Sequence, residues 1–298
     1  MEYAIDVGGT KIAFGIVHRN RLICQDRVDT APEPPAAQLR EVGRRLQEMA
    51  RAKAVRPDVT GLSLPGPVAR EALLQGPNLP PGWVGLRIAE YADLLGLGVP
   101  LAAQRDALMG GYGEYVAGAG RGLGSFFYIT LGTGIGGGLI LDGRPVPGAD
   151  GAAGEVGHFQ VDPRGPVCGC GRRGCVEALA AGPAIERAYR ERAGAQLGAR
   201  EIAERARAGE RRARAVYRRA GRALGVACAI VAQVANPQAV IAGGSLAESL
   251  DLLQGAMLQS LQQRAWAANL PLPVLTAQLG GPAPLIGAAA YARLERGR

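Results

Sequence analysis

The pattern that most constrains this chain occurs twice. Tyr3–Val7 is an apolar run, Gly8-Gly9-Thr10-Lys11 is a tight turn, and Ile12–Val17 is a second apolar run. Arg21–Val28 follows as a third strand after an Arg19-Asn20 turn. Midway, Ser125–Leu131, Gly132-Thr133-Gly134 and Gly137–Leu141 repeat the arrangement, closed by Asp142-Gly143. Apolar runs bounded by glycine turns predict strands in hairpins. Two copies predict an internal duplication, one copy per lobe. Leu39, Val42, Leu46 and Met49 recur at helical spacing after the first copy. A long helix is expected from about Arg211 to Val234, burying Val216, Leu224, Ala227 and Val231. Short strands are expected at Val59–Leu64, Ala239–Ala242 and Val274–Ala277, and loops at Ala31–Pro35 and Pro77–Gly82. Strands and helices in two similar halves predict two α/β lobes with ligands in the cleft between them. The chain's 298 residues suffice for both.

Charge narrows the function classes. Lysine and arginine total 34 against 26 acidic residues, a net charge of +8. Lys11 and Lys53 are the two lysines, so the basic side is arginine. Such a balance raises nucleic-acid binding. Yet the arginines lie along helical segments, as in Arg40, Arg44, Arg45 and Arg51, or Arg211, Arg212, Arg214, Arg218 and Arg219. Without interleaved aromatics these read as solvated helix faces, and no nucleic-acid partner is expected. Attraction of an anionic substrate is compatible with the same charge. No apolar run reaches membrane-span length, and because Tyr3-Ala4-Ile5 begins a strand at once, neither a leader nor a DNA-binding module is expected ahead of it. Five cysteines, three within eight positions, suit a metal better than a disulfide framework, and a reducing cytoplasm is expected.

The first turn, with Asp6, Gly8, Gly9, Thr10 and Lys11, has the chemistry of a phosphate cradle. Glycines let backbone N–H groups approach phosphate oxygens, Thr10 adds a hydroxyl, Lys11 adds charge, and Asp6 suits a hydrated Mg²⁺. The spacing is not that of a Walker loop, and a strand follows instead of a helix. An ordinary hairpin uses the same residues. The second copy favours phosphate. Gly132, Gly134 and Gly137 match the dinucleotide fingerprint, but Leu139-Ile140-Leu141 continues as a strand, which excludes that fold.

Cys168-x-Cys170-x₄-Cys175, with His158 ten residues earlier, supplies the four soft donors of a tetrahedral zinc site. No open position is evident, which favours a structural role. Cys24 and Cys228 lie in apolar segments and read as core residues. Around the cluster, Glu155 and Glu177 would be held close to each other. They suit sugar hydroxyls, as does Asn78, and Asp106 suits a general base; surface carboxylates are the plainer alternative.

Together Asp6-x-Gly-Gly-Thr-Lys11, Leu131-Gly-Thr-Gly134, Gly154-Glu-Val-Gly-His158 and Cys168-x-Cys-Gly-x-x-Gly-Cys-x-Glu177 resemble the ROK family of repressors, open reading frames and sugar kinases. The resemblance runs nearly end to end, through Pro65-Gly-Pro67, Pro77-Asn-Leu79, Asn236-Pro237, Ile241-Ala-Gly-Gly244 and Leu285-Ile-Gly-Ala288. It implies an α/β, actin-like (ribonuclease H-like) two-lobed kinase with a zinc knuckle. The expected lobes are residues 1–112 with 283–298, and 113–282 with the zinc site. It implies ATP with Mg²⁺, and phosphorylation of a hexose hydroxyl, most like the bacterial glucokinases that make glucose 6-phosphate. Asp106 then matches the catalytic base, and Asn78, Glu155, His158 and Glu177 match sugar-binding positions. His158, Cys168, Cys170 and Cys175 match zinc ligands; Gly9, Thr10, Thr133 and Gly134 match phosphate loops; Gly243 and Gly244 match a wall near the adenosine. A homodimer or homotetramer is implied. Arg105 departs from the family, which usually has asparagine there to touch a sugar hydroxyl. It keeps other acceptors open, such as an N-acetylhexosamine or fructose. Polyphosphate is an alternative donor, and a non-catalytic sugar-binding regulator is a third reading.

Overall fold

The computed structural model describes residues 1–298 apart from Glu33, Arg70, Pro77 and Arg298. Pro77, part of the loop expected before Asn78, therefore lies outside the described residues. The chain divides into two compact units. The first holds Met1–Leu123, Gly138–Ala153 and Gly281–Arg298; the second holds Gly124–Gly137 and Gly154–Gly280.

In the first unit, β1 (Glu2–Val7), β2 (Lys11–His18) and β3 (Arg21–Asp29) form an antiparallel meander. Next come α1 (Pro35–Ala52), β4 (Val59–Leu64), the small hairpin β5 (Val68–Ala69) and β6 (Ala72–Leu73), α2 (Ile88–Leu95), β7 (Leu101–Arg105) and α3 (Asp106–Ala117). β4 and β7 extend the sheet in parallel, giving the order β3-β2-β1-β4-β7. Side chains alternate across a strand. Tyr3, Ile5 and Val7 therefore pack in one core with Leu39, Val42 and Leu46 of α1 and with Tyr91 of α2. Ala4 turns the other way, into a cluster with Leu285 and Ala289. Arginines of α1 face outward, as expected: Arg44 pairs with Glu41 and Glu48, and Arg45 with Glu41 and Asp26.

The second unit repeats the plan. It uses β8 (Phe126–Leu131), the start of β9 (Ile135–Leu141), and, after the helices, β11 (Val240–Gly243) and β12 (Val274–Thr276). The rest of β9 and its antiparallel partner β10 (Arg144–Val146) belong with the first unit. The sheet order is β10-β9-β8-β11-β12, with β8, β11 and β12 parallel. Position for position this is the order of the first sheet, so the duplication read from the two glycine turns is a duplication of sheets. The intervening helices are α4 (Val176–Ala180), α5 (Gly182–Ala193), α6 (Ala199–Arg207) and α7 (Arg211–Ala235). After β11 comes α8 (Leu250–Arg264), and α9 (Ala283–Arg296) closes the chain in the first unit. The expected face of α7 is buried, with Val216, Leu224, Ala227 and Val231 all inside. Cys228 is buried beside them, and Cys24 is half-buried against the first core. No helix among the described residues is long and apolar enough to cross a membrane.

Candidate active site and cysteine cluster

The first glycine turn is closed by Gly8 N–H donating to the Lys11 carbonyl at 2.9 Å. Thr30, just past β3, pins it: its hydroxyl donates to the Gly8 carbonyl at 2.7 Å and its N–H to the Thr10 carbonyl at 3.0 Å. The N–H groups of Gly9 and Thr10 have no partner among the described residues. Thr10 and Lys11 are exposed. Asn78 lies directly against this turn. A Cβ on Gly9 would sit 2.4 Å from the Asn78 carbonyl oxygen and 2.7 Å from its Cβ, so only glycine fits. Gly9→Ala is expected to push the Asn78 loop outward at a cost on the order of 1–3 kcal/mol; urea unfolding checks it.

Asp6, next to last in β1, lies opposite Ser63 of β4, whose hydroxyl donates to its carboxylate at 2.6 Å. Burial pushes the Asp6 carboxyl up, opposed by the Ser63 hydroxyl and the Lys11 charge. A nearby divalent cation would restore the ionised form. Ser63 was missed in the sequence. The signal was a hydroxyl in the apolar run Val59–Leu64, but pairing it with Asp6 needs the strand register.

Asp106 is the first residue of α3, half-buried, and its Oδ1 accepts from the Ala107 N–H at 2.6 Å. Arg105, the last residue of β7, is only 2% exposed. Its guanidinium donates to the Ala153 carbonyl. Arg105 thus ties down a neighbouring loop of its own unit. Arg105→Ala strands that carbonyl and leaves a cavity. A loss of about 2–4 kcal/mol is expected in urea unfolding.

In the second unit the other glycine turn has the same form. Gly132 N–H donates to the Gly134 carbonyl at 3.0 Å, while Thr133 and Gly134 stay exposed with no N–H partner among the described residues. Glu177 accepts from the Ile135 N–H at 2.9 Å, and a Cβ on Gly134 would lie 2.8 Å from the same carboxylate oxygen. Gly243 and Gly244 border this turn. Gly244 has φ +84°, and its Cβ position lies 2.3 Å from the Leu131 carbonyl oxygen. The structure therefore gathers Thr133, Gly134, Glu177, Gly243 and Gly244 around one loop. The contact of Glu177 with the turn was not read from the sequence, because the two are 42 residues apart.

Glu177 also reaches the cysteines, with Oε1 3.8 Å from Cys168 Sγ. One 3₁₀ turn, Val156–His158, carries His158 from Glu155 into the cluster. Val176 N–H donating to the Phe159 carbonyl at 3.0 Å fastens that turn to the start of α4, next to Cys175. The ligand atoms of His158, Cys168, Cys170 and Cys175 all lie within 4.8 Å of one another. Cys170 and Cys175 Sγ are 3.7 Å apart, and Cys168 Sγ is 3.8 Å from His158 Nδ1. Ligands about 2.3 Å from a central ion at tetrahedral corners are about 3.8 Å apart, so the donor set fits zinc in spacing as well as type. A hydrogen bond from the Arg172 N–H draws the Cys170 thiol down to about 7, while burial pushes Cys175 up to about 12. With Nδ1 facing the sulfurs, Nε2 of His158 is left for a second partner.

Two sheets of one order, each carrying a phosphate-type Gly-Thr turn, define a duplicated α/β protein with the parts of a phosphotransferase. The ROK family model matches residues 2–295, and the chain belongs to the ROK family. It is 31% identical to a glucokinase of Streptomyces coelicolor, over 98% of each chain. It is 33% identical to a kanosamine kinase of Amycolatopsis mediterranei, over 97% of this chain and 95% of the other. A ROK hexokinase from Thermus thermophilus superposes with TM-score 0.86 at 34% identity, over 99% of this chain and 98% of that one. A ROK glucokinase from Streptomyces griseus, solved with glucose and AMPPNP, superposes with TM-score 0.81 at 30% identity, over 98% and 99%. The fold is thus the actin-like fold of these sugar kinases, and the chain is a ROK sugar kinase acting on a sugar hydroxyl.

Proposed function

We propose that this sugar kinase transfers the γ-phosphoryl group of ATP to a hexose, glucose before others, with Asp106 as general base. The observation that carries the reading is the pair of Gly-Thr turns on sheets of one order, each presenting unbonded N–H groups. Phosphate oxygens are the acceptors such groups suit. In this reading Gly8, Gly9, Thr10, Lys11, Thr133 and Gly134 hold the phosphates, and Gly243 and Gly244 flank the adenosine. Asn78, Glu155, His158 and Glu177 bind sugar hydroxyls, His158 through Nε2. Asp106 takes the proton of the attacking hydroxyl. Asp6, an oxygen donor near a strand end, fits a hydrated Mg²⁺, which when bound neutralises phosphate charge. Zinc in the cysteine cluster is structural and fixes the segments bearing Glu155 and Glu177.

Glucose is favoured by the glucokinases at 30–31% identity. Amino sugars are the second reading, because the kanosamine kinase is as similar and Arg105 replaces asparagine. ADP release with glucose, fructose, kanosamine and N-acetylmannosamine separates the two. Higher kcat/KM on an amino sugar than on glucose would move the assignment to the second.

A further inference from the structure

The second unit holds a recess of about 130 Å³ whose lining includes no residue of its glycine turn. Arg164, Arg187 and Arg219 line it with Glu191, and Leu179 and Ala188 add apolar surface. The arginines come from the cysteine loop, α5 and α7, so the fold gathers charges that are far apart in sequence. Arg187 is half-buried and held in place by donating to the Ala178 carbonyl. Arg219 is oriented by Asp162 at the long distance of 3.9 Å. Among the described residues no carboxylate pairs with the guanidinium of Arg164 or Arg187, although Asp162 Oδ1 accepts the Arg164 backbone N–H at 3.1 Å. Even with Asp162 counted beside Glu191, the guanidiniums outnumber the carboxylates.

Charge selects the ligand. Three guanidiniums against the two carboxylates of Glu191 and Asp162 suit a small oxyanion better than a neutral sugar. Guanidinium forks match phosphate oxygens in bidentate geometry. We infer that the recess binds a phosphate-type oxyanion, as free inorganic phosphate or as the phosphoryl group of a larger molecule whose remainder stays in solvent. The site lies outside the proposed catalytic machinery, and its occupancy does not depend on which sugar is phosphorylated.

The test is calorimetric titration of inorganic phosphate, and separately of glucose 6-phosphate, into the full chain saturated with AMPPNP. The Arg164→Ala/Arg219→Ala pair keeps Arg187 and its structural bond. An Arg211→Ala/Arg212→Ala pair removes equal charge from α7 outside the recess. Thermal unfolding confirms that both variants fold. The recess pair is expected to weaken binding by about tenfold or more, as loss of charge-assisted hydrogen bonds does, and the control pair to leave it within twofold. Loss for both ligands assigns the site to free phosphate as well as to phosphoryl groups. Loss for glucose 6-phosphate alone assigns it to a phosphoryl group on a larger molecule. No saturable binding of either ligand, equal weakening by both pairs, or weakening by neither overturns the inference.

Discussion

Asp106→Asn is expected to lower kcat by about 10²–10⁴-fold, the usual worth of a positioned general base. The amide keeps the size of the carboxylate, and its oxygen can still accept the Ala107 N–H that now bonds Oδ1. The start of α3 should therefore stay in place, and sugar binding by calorimetry should change by only a few fold. The split matters more than the size. A loss of kcat with binding retained assigns proton removal to Asp106. Loss of both together would make it a binding residue, and unchanged turnover would remove it from the chemistry.

Removing the metal is expected to have the largest effect on stability. Structural zinc in small sites contributes roughly 10 kcal/mol or more of folding free energy, part of which survives here in the surrounding core. Cys175 is fully buried and Cys168 nearly so. Without an ion, burial favours the protonated thiols of Cys168 and Cys175 at close range. Cys175→Ser should drop zinc content from about one per chain to near zero and lower the melting temperature by several degrees. Sugar affinity should fall as well, because Glu177 stands two residues from Cys175 and His158 is itself a donor of the cluster. Elemental analysis beside thermal unfolding checks both halves. A variant with no zinc but unchanged melting and sugar affinity would deny the ion any structural role.

Much of the fold was legible because it rests on local patterns. The strands around both glycine turns, the buried stripe of α7 and the helix bearing Leu39, Val42 and Leu46 all follow from short-range periodicity. The cysteine cluster was legible because donor type and spacing suffice to state it. What stayed hidden depends on register and tertiary approach. Ser63 meets Asp6 only because β1 and β4 pair in parallel at that offset. Glu177 bonds the Ile135 N–H only once α4 has docked beside the second turn. Arg105 stands where the family usually has asparagine, and its burial against the Ala153 carbonyl depends on a loop 48 residues away. Arg219 lies among the arginines read as a solvated stripe, yet it lines a recess with Arg164 and Arg187. The alanine-rich helices α5 and α6 had too few large apolar residues for their faces to be drawn from spacing.

The central claim is that this chain uses ATP to phosphorylate glucose. Its most direct test is ³¹P NMR of the zinc-replete protein with glucose, ATP and Mg²⁺, in parallel with the Asp106→Asn variant. Glucose 6-phosphate should appear in step with ADP, with almost none from the variant. ADP without a sugar phosphate, or equal product from the variant, would contradict the account.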